Sequence, residues 1–311
     1  MRTITENETE QICLDYLKDL GYDYAPGPEI SPDGLSPERQ YNEVVLTTRL
    51  KNAIDRLNPS ISPDAREEAF KKVLRTSSPN LLINNETFHK YLTEGIDIEY
   101  RKDGNIRGDK VYIVDFNDHG NNEFLAVNQF TVIENNNNKR PDIVLFVNGL
   151  PLVVIELKNP TDEKATTRAA FNQLQTYKHL IPSLFNYNTL LIASDGLNAR
   201  CGTLTSDWNR FVPWKSKDGR TTAETTTPQI EVMFKGMLNK VTLLDLIRHF
   251  IVFEKSKDKT LKKVAAYHQY YAVNKAVTTT QSAAAETGDR KGGVVWHTQG
   301  SGKSLTMVFL I

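Results

Sequence analysis

The stretch that most limits what this chain can fold into is 142–157, DIVLFVNGLPLVVIEL, in which two apolar runs flank Asn148-Gly149. Apolar β-branched runs around an Asn-Gly pair are a hairpin signature. The hairpin opens on a carboxylate, Asp142, and closes on Glu156, with Lys158 two residues further on. The loop length decides whether these groups meet. A two-residue Asn148-Gly149 loop sets Asp142 opposite Ile155 and turns Glu156 to the other face of the sheet. A three- or five-residue loop centred on Gly149 sets Asp142 opposite Glu156, and Lys158 then shares that face. Pro151 interrupts smooth pairing beside the turn, so the expectation is the longer, odd-numbered loop.

Two hard carboxylate oxygens are suitable magnesium ligands, and hydrolysis of a phosphodiester needs a divalent cation and an activated water. A neighbouring lysine can orient or help deprotonate that water. The acid-x-lysine spacing is weak alone, because Asp162/Lys164 and Asp289/Lys291 repeat it. Those two pairs fall at a helix start and in a loop, whereas Glu156/Lys158 closes an apolar strand, where charge is expensive to bury without a purpose. The plain alternative is an edge-strand salt bridge.

Around this hairpin the chain reads as helical first and mixed afterwards. An amphipathic helix with Leu14, Leu17 and Leu20 ends before Gly21, where a glycine cap is expected. Helical patterns also cover about 44–57, 64–74 and 80–92. Strands are expected over 96–100, 110–115 and 124–133, with a turn at Asp103-Gly104, and again over 189–193 and 202–205. A helix over 161–180, N-capped by Thr161 or Asp162, carries Ala170, Leu174, Tyr177 and Ile181 on one stripe. Another is expected over 241–253. Residues 254–263 contain five lysines among ten, a solvated stretch taken as a domain boundary. The expected fold class is therefore α/β, a mixed sheet flanked by helices.

Composition narrows the partners. Lysine plus arginine (38) equals aspartate plus glutamate (38) in the 311 residues, so there is no global field to draw the chain onto nucleic acid or anionic lipid, and any DNA contact is local. Lys139, Arg140, Lys164 and Arg168 form a modest basic surface for phosphate. Cys13 and Cys201 stand alone, which excludes a disulfide framework or a CxxC zinc site, and the six histidines show no HxxxH spacing. The polar, acidic start is not a signal peptide, and no apolar run reaches the ~18–20 residues of a membrane span. A cytoplasmic protein is expected.

Near the end, a strand over 293–296 leads into WHTQGSGKS and a further apolar helix. A glycine-rich turn before a helix N-terminus cradles polyphosphate. Thr298, Gly300, Ser301 and Gly302 supply the turn, Lys303 reaches the β/γ-phosphates and Ser304 meets magnesium, so ATP is the expected ligand. His297 stands where the strict phosphate-loop pattern has its first glycine. Gln269, on an upstream helix, has an amide that can pair with the adenine edge.

With these residues in view, Asp142-x13-Glu156-x-Lys158 followed by Gln173-x3-Tyr177 resembles the PD-(D/E)xK core of RecB-like nucleases, and 298–304 with Gln269 resembles motif I and the glutamine motif of superfamily 2 motors. Together they resemble the HsdR-type restriction subunit of type I restriction-modification enzymes. The resemblance implies a PD-(D/E)xK endonuclease domain over 1–255 and, over 256–311, a linker and the start of a RecA-like ATPase domain. It implies an N-terminal piece of a larger motor that cuts double-stranded DNA and assembles with modification (methyltransferase) and specificity subunits. Asp142 and Glu156 would hold Mg2+, Lys158 would serve water activation or transition-state charge, and Gln173 with Tyr177 would support the lysine or touch DNA. The rivals are a RecB-like repair nuclease-helicase and an ATP-dependent DNA-binding module with an inert nuclease core.

Overall fold

A computed structural model describes residues 5–102, 105–159, 166–257 and 259–311. The turn at Asp103-Gly104 and the decoy Asp162/Lys164 lie outside the described residues. Helix α1 (Glu6–Asp19) begins with a capping box in which Thr5 and Glu8 satisfy each other's backbone N–H groups. It ends before Gly21, whose φ of 80° supplies the expected glycine cap. Its stripe of Cys13, Leu14 and Leu17 is buried.

Strand β1 (Asp23–Pro26) and a single turn, α2 (Gly27–Ile30), precede α3 (Thr47–Leu57), α4 (Pro63–Leu74) and α5 (Leu81–Glu94). The α3 helix starts three residues later than the pattern at Val44 suggested; its N-cap, Leu46, is not helical and donates its N–H to Gly149 O at 2.9 Å. A ribbon of β2 (Ile96–Lys102) and β3 (Asn105–Val111) follows, then β4 (Phe124–Asn128) and a small ribbon of β5 (Val132–Glu134) with β6 (Asn137–Lys139).

The central hairpin is β7 (Ile143–Val147) and β8 (Leu150–Leu157). Next come α6 (Thr167–Leu180), the short α7 (Pro182–Phe185), β9 (Leu190–Ser194) and β10 (Ala199–Gly202). The chain continues through α8 (Gln229–Met237), α9 (Lys240–His249), β11 (Ile251–Lys255), β12 (Thr260–Val264), α10 (Tyr267–Ala284) and α11 (Lys303–Leu310). Six strands form one mixed sheet in the order β1-β4-β7-β8-β9-β10, with β1/β4 and β8/β9 parallel and the other pairs antiparallel. Every residue of β7 and β8 is buried, as expected of strands covered on both faces. Helix α6 packs on β8 and β9, while α1 packs on β1, β4 and β8.

The hairpin corrects one expectation and keeps its consequence. The loop is the two-residue Asn148-Gly149 turn, because Val147 pairs with Leu150. Both turn residues have positive φ, 51° and 79°, the type I′ pattern that matches strand twist. A side chain at residue 149 would also meet Leu46 O at 2.4 Å. The odd residue sits inside the strand instead: Phe146 pairs with Pro151, but Leu145 pairs with Val153, so Leu152 is a β-bulge. Below it Ile143 pairs with Ile155, and Asp142 falls beside Glu156. At the bulge, the Leu152 carbonyl is tied to the segment that enters β9. Leu152 O accepts from Thr189 N at 2.7 Å, Thr189 Oγ1 at 2.8 Å and Asn188 Nδ2 at 3.2 Å.

Three further expectations change. The helix over 241–253 stops at His249, and Ile251, Val252 and Phe253 enter β11. The lysine-rich 254–263 is largely a hairpin and not a purely solvated spacer, since Lys262 is buried. Residues 293–296 form no strand, and Val294 and Trp296 are exposed. A strand must pair its N–H and C=O groups, and no described strand lies against this segment. Among the described residues no helix is long and apolar enough to cross a membrane.

Candidate active site and phosphate loop

The register around the bulge brings Asp142 and Glu156 together at the end of the β7–β8 hairpin. Asp142 Oδ2 accepts from the backbone N–H of Leu157 at 2.7 Å. Glu156 Oε1 receives Lys158 Nζ at 2.6 Å, and the same ammonium donates to Leu157 O at 2.9 Å. Glu156 is 2% exposed, and its other oxygen, Oε2, is buried without a hydrogen-bond partner. An unpartnered buried carboxylate oxygen is costly, so the pocket holds coordinating capacity that the protein itself leaves unused.

Electrostatics follow from this crowding. Burial raises the Glu156 carboxyl to about 8, with the charge of Asp142 adding to it and Lys158 opposing. Burial likewise raises Asp142 to about 6, against the Leu157 N–H bond and Lys158, with Glu6 and Glu10 of α1 pushing it further up. For Lys158 burial works downward, but Glu156 and Asp142 outweigh it and hold the ammonium above its ordinary value. The lysine is therefore a cation here and has no free lone pair for a proton.

Gln173 and Tyr177 project from α6, whose described N-cap is Thr166, accepting from Ala169 N. Thr161 and Asp162, the caps expected from sequence, lie outside the described residues. Tyr177 reaches the carboxylates: its phenol is pushed up by burial and by Glu156, with Gln173 as a hydrogen-bonding neighbour, and its hydroxyl lies 3.5 Å from Arg140 O. The structure thus gathers Asp142, Glu156, Lys158, Gln173 and Tyr177 in one place.

Sequence reasoning missed Glu10. It is buried on α1, accepting from Asn128 Nδ2 at 2.7 Å and from Gln129 Nε2, beside Asp142. The signal was present: Glu10 lies three, four and seven residues before Cys13, Leu14 and Leu17, an acid on the apolar stripe. Among the described residues no three His, Cys, Asp or Glu side chains form a metal cage.

The residues fit magnesium. This cation keeps several waters and is held through one or two carboxylates plus phosphate oxygens, which is the donor set that Asp142 and the free Oε2 of Glu156 offer.

The second site lies at the start of α11. Gly300 and Gly302 both take φ of 82°, and Lys303 Nζ donates to His297 O at 3.2 Å and Thr298 O at 3.1 Å, so the loop wraps its own lysine. Gln269 braces the loop from α10: its Nε2 donates to Gly302 O at 3.0 Å, while its Oε1 accepts from Ala266 N. His268 Nε2 lies 3.0 Å from Ser301 O. A cleft of about 670 Å³ opens here, lined by Phe253, Gln269, Gly300, Ser301, Gly302 and Ser304 among others.

The family described as type I restriction enzyme R protein N terminus matches residues 3–210, and the SWI2/SNF2 ATPase family matches 268–311. Over 98% of its length the chain is 43% identical to the type I restriction enzyme HindI endonuclease subunit of Haemophilus influenzae, covering 30% of that protein. It is 32% identical over 96% of its length to the putative MjaIXP endonuclease subunit of Methanocaldococcus jannaschii, again covering 30%. Over 60% of its length it is 30% identical to the SauCOLORF180P endonuclease subunit of Staphylococcus aureus. The chain spans about a third of the length of the first two relatives.

Proposed function

The chain belongs to the type I restriction enzyme R protein N-terminus family, and from that premise we propose that residues 1–255 are a PD-(D/E)xK endonuclease domain that cuts double-stranded DNA with magnesium. Residues 256–311 are then the linker and first part of a RecA-like superfamily 2 motor that binds ATP and drives translocation. The observation that supports the nuclease reading is the buried, unpartnered Oε2 of Glu156, beside Asp142 and with Lys158 on its other oxygen.

Asp142 and Glu156 would hold the ion. When bound, magnesium supplies charge neutralisation at the scissile phosphate and a water of lowered pKa. The Leu157 N–H fixes Asp142 Oδ2 and sets the direction of that carboxylate. Lys158, kept protonated by its two carboxylates, contributes positive charge toward developing negative charge on phosphate oxygens. Of the two roles expected for this lysine, its ionisation favours transition-state charge over deprotonation of water. Tyr177 faces Glu156 from the helix side, and Gln173 is its hydrogen-bonding neighbour.

In the motor part, Lys303 must leave the carbonyls of His297 and Thr298 to reach a β/γ-phosphate, and Gln269 stands at the cleft where an adenine edge would be read. Modification and specificity subunits are the proposed partners, in the cytoplasm. Supercoiled-plasmid cutting by the complete assembly tests the nuclease assignment. Cutting with magnesium, none with EDTA, and none in Asp142→Ala is the expected result. Undiminished cutting by Asp142→Ala would assign hydrolysis elsewhere, and this core would be an inert DNA-binding module.

A further inference from the structure

Away from the carboxylates, two arginines share one indole. Arg168 Cζ and Arg200 Cζ each lie 5.0 Å from the ring centroid of Trp208, and Arg168 also lies 5.1 Å from that of Phe171. Phe171 packs its ring on Trp208 at 5.5 Å and on Phe211 at 4.8 Å, which fixes the indole from behind. Arg200 is steadied further by donating from Nη1 to Phe211 O at 3.0 Å. Arg168 is exposed and Arg200 half-buried. Neither has a carboxylate within salt-bridge distance among the described residues, whereas Arg49 and Arg66 each have one.

The sheet register ties this stack to the proposed cut site. Glu156 pairs with Ala193, and Ala193 pairs with Arg200. Directly paired residues share a sheet face, so Arg200 stands on the face of the carboxylates, two strand spacings or about 10 Å away. Arg168 is anchored at the same end of the sheet: its neighbour Thr167 donates to Asp195 Oδ2 at 2.8 Å, and the adjoining Ser194 carbonyl accepts from Lys158 N at 2.9 Å.

We propose that Arg168 and Arg200, held on Trp208, form a clamp for the DNA backbone on the β10 side of the cut site. This rests on reading the chain as a DNA nuclease. Stacking on an aromatic face leaves a guanidinium's N–H edge free for bidentate bonding to phosphate and removes part of the side-chain entropy cost beforehand. With about 3.4 Å per nucleotide along one strand, a 10 Å offset places the contacts roughly three nucleotides from the scissile phosphate. A chain with no net charge has to make such contacts locally, and this pair lies near enough to the carboxylates to align a strand.

The test is DNA binding by the complete subunit in EDTA, with no cutting, titrated over a salt series. Each phosphate contact contributes about 0.9 to the slope of log K against log salt on duplex DNA. Arg168→Gln and Arg200→Gln are each expected to weaken binding several-fold and lower the slope by about one, and the double variant by about two. Arg168→Lys should keep the slope and lose only part of the affinity. An unchanged slope in Arg168→Gln, whose exposed side chain can be replaced without unfolding the helix, overturns the clamp. So does an unchanged slope accompanied by weakened subunit assembly, which would make this a protein interface. The two readings fail separately: wild-type cutting by Asp142→Ala removes the catalytic assignment, and the salt slope still reports on the clamp.

Discussion

Asp142 Oδ2 accepts the backbone N–H of Leu157 at 2.7 Å, a contact between neighbouring strands that exists only because Leu152 bulges out of the β8 ladder. With a two-residue turn and regular pairing, Asp142 would face Ile155 and the carboxylates would part. The bulge therefore determines whether a two-carboxylate site can exist on this hairpin.

Shifting the register below the bulge should remove the site. Deleting Val154 is expected to abolish DNA cutting by setting Asp142 opposite Leu157 and Glu156 opposite Ile143. The control Leu152→Ala keeps the register. It should lose about 2–5 kcal/mol of stability, as buried leucines do, while retaining cutting in plasmid assays at reduced temperature. Full activity in the deletion variant would show that the register is not what matters.

The raised carboxyls at Asp142 and Glu156 give a pH signature. Because both bind protons more tightly in the fold than when unfolded, their contribution is fully present below the ordinary carboxylate values of 3.8 and 4.5 and is lost as pH rises through about 6 for Asp142 and about 8 for Glu156. Magnesium should offset this loss at neutral and higher pH by pairing with the ionised forms. Melting temperature measured against pH, with and without magnesium, should show a metal-dependent gain that grows from pH 5 to 8. That gain should be absent in the Asp142→Asn, Glu156→Gln double variant.

Lys262 gives the opposite sign. Its ammonium is buried, donating to Asn85 Oδ1 at 2.8 Å and Asn188 O at 2.7 Å, beside His89 and the Phe253 ring, and burial lowers it to about 7. The unfolded chain binds this proton more tightly, so between about pH 7 and 10 the fold gains stability as pH rises. Denaturant titrations should show wild type gaining on Lys262→Met across that window, by up to about 4 kcal/mol at 1.36 kcal/mol per unit. A constant difference between the two proteins would mean that the lysine titrates normally.

Lys303 separates the two halves of the chain. Its side chain is exposed and, among the described residues, bonded only to the His297 and Thr298 carbonyls. Lys303→Ala is accordingly expected to abolish ATP binding in equilibrium titrations while changing stability by no more than about 0.5 kcal/mol. A large stability loss would give the lysine a structural role instead.

Much of the site was readable in the residues because the chemistry is concentrated in strand ends. Asp142, Glu156 and Lys158 stood out as charges closing apolar runs, and Gln173 and Tyr177 as a helical pair just after them. The bulge was not readable. Pro151 announced an irregularity, but the extra residue enters the strand at Leu152, whose carbonyl is bonded by Asn188 and Thr189 some 36 residues away in sequence. Lys262 was misread for a related reason. Lysine-rich composition implies solvent, and only the partners Asn85 and Asn188 make its burial tolerable. The strand expected over 293–296 shows the limit of a local pattern, since Val294 and Val295 have strand propensity and no described neighbour to pair with. Glu10 carried a visible signal, an acid on an apolar stripe, whose meaning emerges once α1 is seen against Asp142.

The decisive measurement for a two-carboxylate metal site is a structure of the protein with Mn2+ in place of Mg2+, the ion located by its anomalous scattering. Density is expected between a carboxylate oxygen of Asp142 and Oε2 of Glu156, with Lys158 Nζ still on Oε1. An ion bound elsewhere, with Glu156 and Lys158 unchanged as a closed pair at saturating manganese, would rule that site out.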